Sequence, residues 1–95
     1  MDKKHAYEEK LQAQLDEFNA RIDLLKAKAA KAESSTKISY ADTLEALRMK
    51  RNLAEDKLDE LKAASDDAWE DLKEGIDKAW SDFNAALKSA TSHFQ

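Results

Sequence analysis

The chain has 95 residues with 16 basic and 20 acidic side chains, 38% charged residues, one glycine, no proline and no cysteine. The missing cysteines exclude a disulfide scaffold and a thiolate metal site, and the shortage of turn formers disfavours a sheet-rich fold. Ala, Leu, Glu, Lys and Arg together supply 53 of the 95 residues, a share above the roughly 50% typical of long helices and coiled coils. No stretch reaches the roughly 18 consecutive apolar residues of a membrane span. The opening MDKKHAYEEK lacks the apolar core of a signal peptide, so a cytoplasmic address is expected. One domain covering residues 1–95 is expected, small enough that neighbouring copies could complete its core.

In chain order, the first third carries an apolar series at helical spacing: Tyr7, Leu11, Leu15, Phe18, Ile22, Leu25, Ala29 and Ala32. The middle continues it with Tyr40, Leu44, Leu47, Ala54, Leu58 and Leu61, and the last third with Trp69, Leu72, Ile76, Trp80, Phe83, Leu87, Ala90 and Phe94. With Thr36, Arg51 and Ser65 filling the gaps, the mean step from 7 to 94 is about 3.63 residues, the period of an α-helix. The stripe stays within an arc of about 120°, narrow enough for a seam between helices. Its unbroken phase argues for long, nearly straight helices. The fold expected is all-α, an extended coiled coil or a helical bundle.

Few places could interrupt such helices. One is Ser34-Ser35-Thr36, followed by β-branched Ile38 and by Ser39 and Asp42 at capping-box spacing. Another is Ala63-Ala64-Ser65-Asp66-Asp67, where Ser65 could cap a helix whose first turn carries the two aspartates. Breaks at residues 34–37 and 63–66 would make a three-helix bundle. Gly75 leaves the stripe in register and reads as a tolerated glycine or a close-packing point. Pairs such as Glu17 with Arg21, Glu33 with Lys37, Glu45 with Arg48 and Asp59 with Lys62 suit exposed helix faces, whereas Asp66, Glu70 and Glu74 are spaced to repel.

Leu24, Ile38, Met49 and Leu53 miss the stripe and gather on the opposite side of the helical wheel. They form a candidate second contact patch, and a bundle of three or more helices, within one chain or between chains, is expected to use it. Residues 63–95 form an acidic, Trp-rich segment, with three basic and seven acidic groups. There Trp69, Trp80 and Phe94 are the candidate anchors for a partner. The acidic balance disfavours phosphate backbones, and the small basic group Arg48, Lys50 and Arg51 makes a poor nucleic-acid surface.

Catalytic and metal chemistry finds little footing. His5 and His93 lie at opposite ends with no second histidine at i+3 or i+4. The acidic run from Asp66 to Asp77 lacks a glycine-centred calcium loop, and the serines lack an elbow motif. Neither an enzyme nor a cofactor is expected. The stretch LKAASDDAWEDLKEGIDKAW (61–80), with its Ala-Trp pairs 11 residues apart, and KLQAQLDEFNARIDLLKAKAAKA (10–32) resemble a family of small bacterial coiled-coil stress-response proteins. That resemblance implies a soluble helical protein linked to stress, without known activity or cofactor. The expected function is self-assembly through the stripe into a homo-oligomer, with capture of a protein partner. The alternative is reversible lipid-surface binding by the Trp-rich helix, whose pattern is similar to that of exchangeable apolipoprotein helices.

Overall fold

A computed structural model describes residues 3–94 of the chain; residues 1, 2 and 95 of the expected domain lie outside the described residues. These form three α-helices: α1 (Lys3–Ala30), α2 (Ser34–Ala63) and α3 (Trp69–His93). Two short turns fold them up, down and up, so α1 and α3 run parallel and α2 runs against both. The bundle measures 51 × 19 × 18 Å, against the 140 Å or so of a single uninterrupted helix. Of the architectures the pattern allowed, the chain adopts the three-helix bundle.

The first turn falls at residues 31–33, just ahead of the serines. The last amides of α1 bond three residues back, Lys31 N to Lys28 O and Ala32 N to Ala29 O, both at 3.2 Å. This tightening satisfies carbonyls that the helix end would leave open. Glu33 is extended (φ −68°, ψ 157°), and its carbonyl accepts the amides of Thr36 and Lys37 at 3.0 and 2.9 Å. Ser34, Ser35 and Thr36 therefore form the first turn of α2. Ser39 and Asp42 lie inside the helix, which corrects the expected break by three residues.

At the second turn Ser65 and the two aspartates precede the helix instead of opening it as their spacing suggests: α3 begins at Trp69, with Ala68 at its N-cap and no side-chain cap. The Ser65 hydroxyl oxygen accepts the Ala68 amide at 3.2 Å, and the Ser65 carbonyl accepts the amides of Ala68 and Trp69 at 3.1 and 3.2 Å. Asp66 and Asp67 sit in this turn, while Glu70 and Asp71 occupy the first turn of α3. The repulsion expected along the acidic run is relieved there, because the helix breaks between its members and the remaining acids meet the positive end of the helix dipole.

Among the described residues each helix buries six side chains, and every one belongs to the stripe. The core runs the length of the bundle from Tyr7, Leu61 and Trp69 to Leu25, Tyr40 and Ala90, with no buried polar or charged residue. The fillers divide by place. Thr36 and Ser65 are exposed beside the turns, so the stripe is continuous in spacing but not in burial. Arg51 lies mid-helix and half-buried, with Nη2 donating to Asn52 Oδ1 at 3.2 Å and Nε 3.9 Å from Glu55. Its aliphatic stem fills the gap, and its Nε is buried with no hydrogen-bond partner among the described residues.

Helices α1 and α2 pack most closely, and α1 and α3 least. The parallel α1–α3 seam is filled by rings: Phe18 lies 4.7 Å from Phe83 and Tyr7 5.8 Å from Trp69, centroid to centroid. Bulky side chains hold helix axes apart. Gly75 is exposed, and a Cβ there would meet nothing within 4 Å, so it is not a close-packing point.

Candidate functional site

The Trp-rich helix is turned inward. Trp69 and Trp80 are only 8% and 4% exposed, and Trp80 Nε1 donates to the Leu11 carbonyl at 3.4 Å. Phe94 is partly buried and stacks on Tyr40, with centroids 3.8 Å apart and planes at 18°. Trp69, Trp80 and Phe94, the candidate partner anchors, are thus packed within the bundle. A helix burying one apolar stripe gives its largest rings to the core, because they remove the most surface from water.

The seam residues fare differently. Leu11, Leu15, Phe18, Ile22, Leu25, Tyr40, Leu44, Leu47, Leu58, Leu61, Ile76, Phe83 and Leu87 are all buried, and Leu72 is partly buried against them. They pack one chain's three helices together.

A polar latch closes the α1–α3 side. The Tyr7 hydroxyl donates to the Asp77 carboxylate and lies 3.4 Å from the Lys73 carbonyl, and Arg21 Nη1 donates to Asn84 Oδ1 at 3.4 Å. Burial, then the hydrogen bond and the negative charge of Asp77, push the Tyr7 phenol well above its ordinary value. A groove of about 380 Å³ lies over this latch, its rim mixing Lys10, Glu17 and Asp77 with Gln14 and Asn84. Sequence spacing gave no sign of these contacts, since each joins residues more than 60 positions apart.

No group of three or more His, Cys, Asp or Glu side chains suited to a metal ion comes together among the described residues. His5 lies 3.0 Å from Glu9 and 3.8 Å from Glu8, and His93 meets the edge of Phe94. Ion pairs within 4 Å among the described residues include Lys4–Glu8, His5 with Glu8 and Glu9, Arg51–Glu55 and Lys57–Glu60. The pairs of Glu17 with Arg21, Glu33 with Lys37, Glu45 with Arg48 and Asp59 with Lys62 are not among them. Arg21 is instead directed to Asn84 across the α1–α3 side, and exposed pairs at this spacing gain little by forming.

The second contact patch is the feature left open. Leu24, Ile38, Met49 and Leu53 are 58%, 69%, 67% and 52% exposed, and no helix of this chain covers them. Folding splits them: Leu24 lies on the outside of α1, and the other three lie on the outside of α2. Their single cluster on the wheel came from projecting two helices onto one axis. On α2 the three residues fall within about 60° of one another at 100° per residue, opposite the buried row Tyr40, Leu44, Leu47, Ala54, Leu58 and Leu61. Helix α2 is thus apolar on two sides, with one of them covered.

Comparison with protein-family models, curated proteins and solved structures returned no match to this chain. The functional reading accordingly rests on the geometry described above.

Proposed function

We propose that this chain is a non-enzymatic interaction protein that self-associates in solution and presents a helical surface to other proteins. The observation that carries the reading is the uncovered apolar row on α2. Large apolar side chains left in water at helical spacing lose the stabilisation that a covering helix would supply, on the order of 1.5–3 kcal/mol for each one fully buried. No helix among the described residues is long and apolar enough to cross a membrane. The resemblance of residues 10–32 and 61–80 to small bacterial stress-response proteins supports a cytoplasmic, stress-linked setting. Size-exclusion chromatography with light scattering, over about a hundredfold range of concentration, tests the reading on samples whose helicity is checked by circular dichroism. A helical species whose mass grows with concentration is the expected result, and a monomer at every concentration contradicts it.

The amphipathic character of α3, the strongest of the three helices, supports a second reading as a lipid-surface binder. Trp69, Leu72, Ile76, Trp80, Phe83 and Leu87 would then have to leave the core as the bundle opens. Both tryptophans are already buried, so a blue shift is a poor reporter. Quenching of their emission by brominated lipid in neutral and anionic vesicles is the test, and emission untouched by either kind of vesicle contradicts the lipid reading.

A further inference from the structure

The outer row of α2 has a property that points to its occupant. Ile38 and Leu53 lie at its two ends, 15 residues or about 22 Å apart, with their midpoint between Glu45 and Ala46. Around that midpoint the charges are ordered. Asp42 and Glu45 lie on its N-terminal side and Arg48 and Lys50 on its C-terminal side, all four exposed and none in an ion pair among the described residues. Relative to Ile38, Asp42 and Lys50 lean to one flank of the helix by about 40° and 120°, and Glu45 and Arg48 to the other by about 20° and 80°, at 100° per residue.

This arrangement is complementary to itself when reversed. A second copy of α2 laid antiparallel across the first, with a two-fold axis at residues 45–46, brings Ile38 of each copy level with Leu53 of the other. The same operation sets Asp42 level with Met49 and beside Lys50 of the second copy, and Glu45 beside its Arg48, each pair occurring twice. The two-fold axis keeps each flank on its own side, so Asp42 meets Lys50 on one; on the other, Glu45 lies one residue off level from its own mate and two from the second copy's Arg48. A parallel pairing would instead leave all four charges level with their likes and Ile38 with Ile38, where the antiparallel one has a single like-charged neighbour, Glu45 with its mate across the axis. We infer that the outer face of α2 is an isologous, antiparallel homodimer interface, formed by Ile38, Met49 and Leu53 and oriented by Asp42, Glu45, Arg48 and Lys50.

This assignment rests on the self-association proposed above and names its face and direction. A single helix-on-helix contact lies at the small end of specific interfaces, so dissociation in the micromolar range or weaker is expected. The charges contribute little affinity when exposed; their part is to select the orientation.

Complementary charge reversal is the test, on the full chain. One variant carries Asp42→Lys and Glu45→Lys, the other Arg48→Glu and Lys50→Glu. Each alone should dimerise at least about tenfold more weakly than the unmodified chain, a change worth about 1.4 kcal/mol, with unchanged helicity. Mixed in equal amounts they should form a heterodimer, since all four cross pairs again join opposite charges. Loss of fold in the single variants cannot produce that rescue. The absence of native cysteine permits a second measurement: Ile38→Cys mixed with Leu53→Cys should cross-link on oxidation, and neither alone should. If the unmodified chain dimerises but the reversals leave it intact or the mixture stays monomeric, this face is wrong while self-association stands. If the unmodified chain is monomeric at every concentration, both fall. Cross-linking of Ile38→Cys with itself overturns the antiparallel direction.

Discussion

The two sides of α2 carry similar side chains and meet opposite surroundings. Leu47 and Leu61 on the inner side are 2% and 0% exposed, whereas Met49 and Leu53 on the outer side are 67% and 52% exposed. The inner row has a leucine, alanine or tyrosine at nearly every step of three or four and joins a core built from all three helices. The outer row is interrupted by Asp42, Glu45, Asn52 and Asp56. Density of apolar residues along a face therefore decides which side the chain buries first: each added contact inside the core is dry, and an interrupted row would take its acids into the core with it.

The comparison is broken most strongly from the inside. Leu47→Ala should destabilise the monomer by about 2–5 kcal/mol, the cost of lost burial plus a cavity, as urea unfolding would show. Leu53→Ala should leave monomer stability within about 0.5 kcal/mol while weakening self-association, a contrast that the same two variants measured by light scattering would expose.

Smaller effects sharpen the picture at the turns and the latch. Ser65→Ala removes the acceptor for the Ala68 amide and should cost about 0.5–2 kcal/mol, as for other capping side chains. Tyr7→Phe removes the hydroxyl bonded to Asp77 and should cost about 0.5–1.5 kcal/mol at neutral pH. The Tyr7 phenol is raised in the folded state, so that state favours the neutral form more than the unfolded chain does. Its contribution is therefore complete below about pH 10, the ordinary phenol value, and falls as the pH rises above it. Alkaline unfolding of Tyr7→Phe should show a correspondingly shallower loss of stability above that pH. Smallest and opposite in sign, Gly75→Ala should stabilise the bundle by about 0.8–1 kcal/mol, the helix-propensity difference, because a methyl group there meets open space.

Much of this was legible before folding. Every residue buried among those described stands on the stripe read at a period of about 3.63, since burial on one side of a helix imposes that spacing whatever the partner. A role for Ser65 at the second turn was legible because its hydroxyl acts within three residues, whereas the start of α3 at Trp69, with Ala68 at its N-cap, was not. The first turn was misplaced by three residues, because Glu33 turns the chain with an extended backbone and no side-chain cap. The place of Trp69 and Trp80 in the core was not legible for a related reason: large rings on an amphipathic face suit a core and an interface equally well, and only their contacts with Leu11 and Tyr7 put them inside the bundle.

By itself, the sequence determined an all-α chain, the buried side of each helix and a surplus of apolar residues on the opposite side, all of which follow from composition and period. The tertiary structure alone decided that the stripe closes on itself within one chain, that Tyr7 meets Asp77 and Arg21 meets Asn84, and that Leu24 parts from Ile38, Met49 and Leu53. Period is a property of one helix axis, whereas these outcomes depend on how three axes are set side by side, which the two turns fix through backbone hydrogen bonds that leave no trace in the spacing of apolar residues.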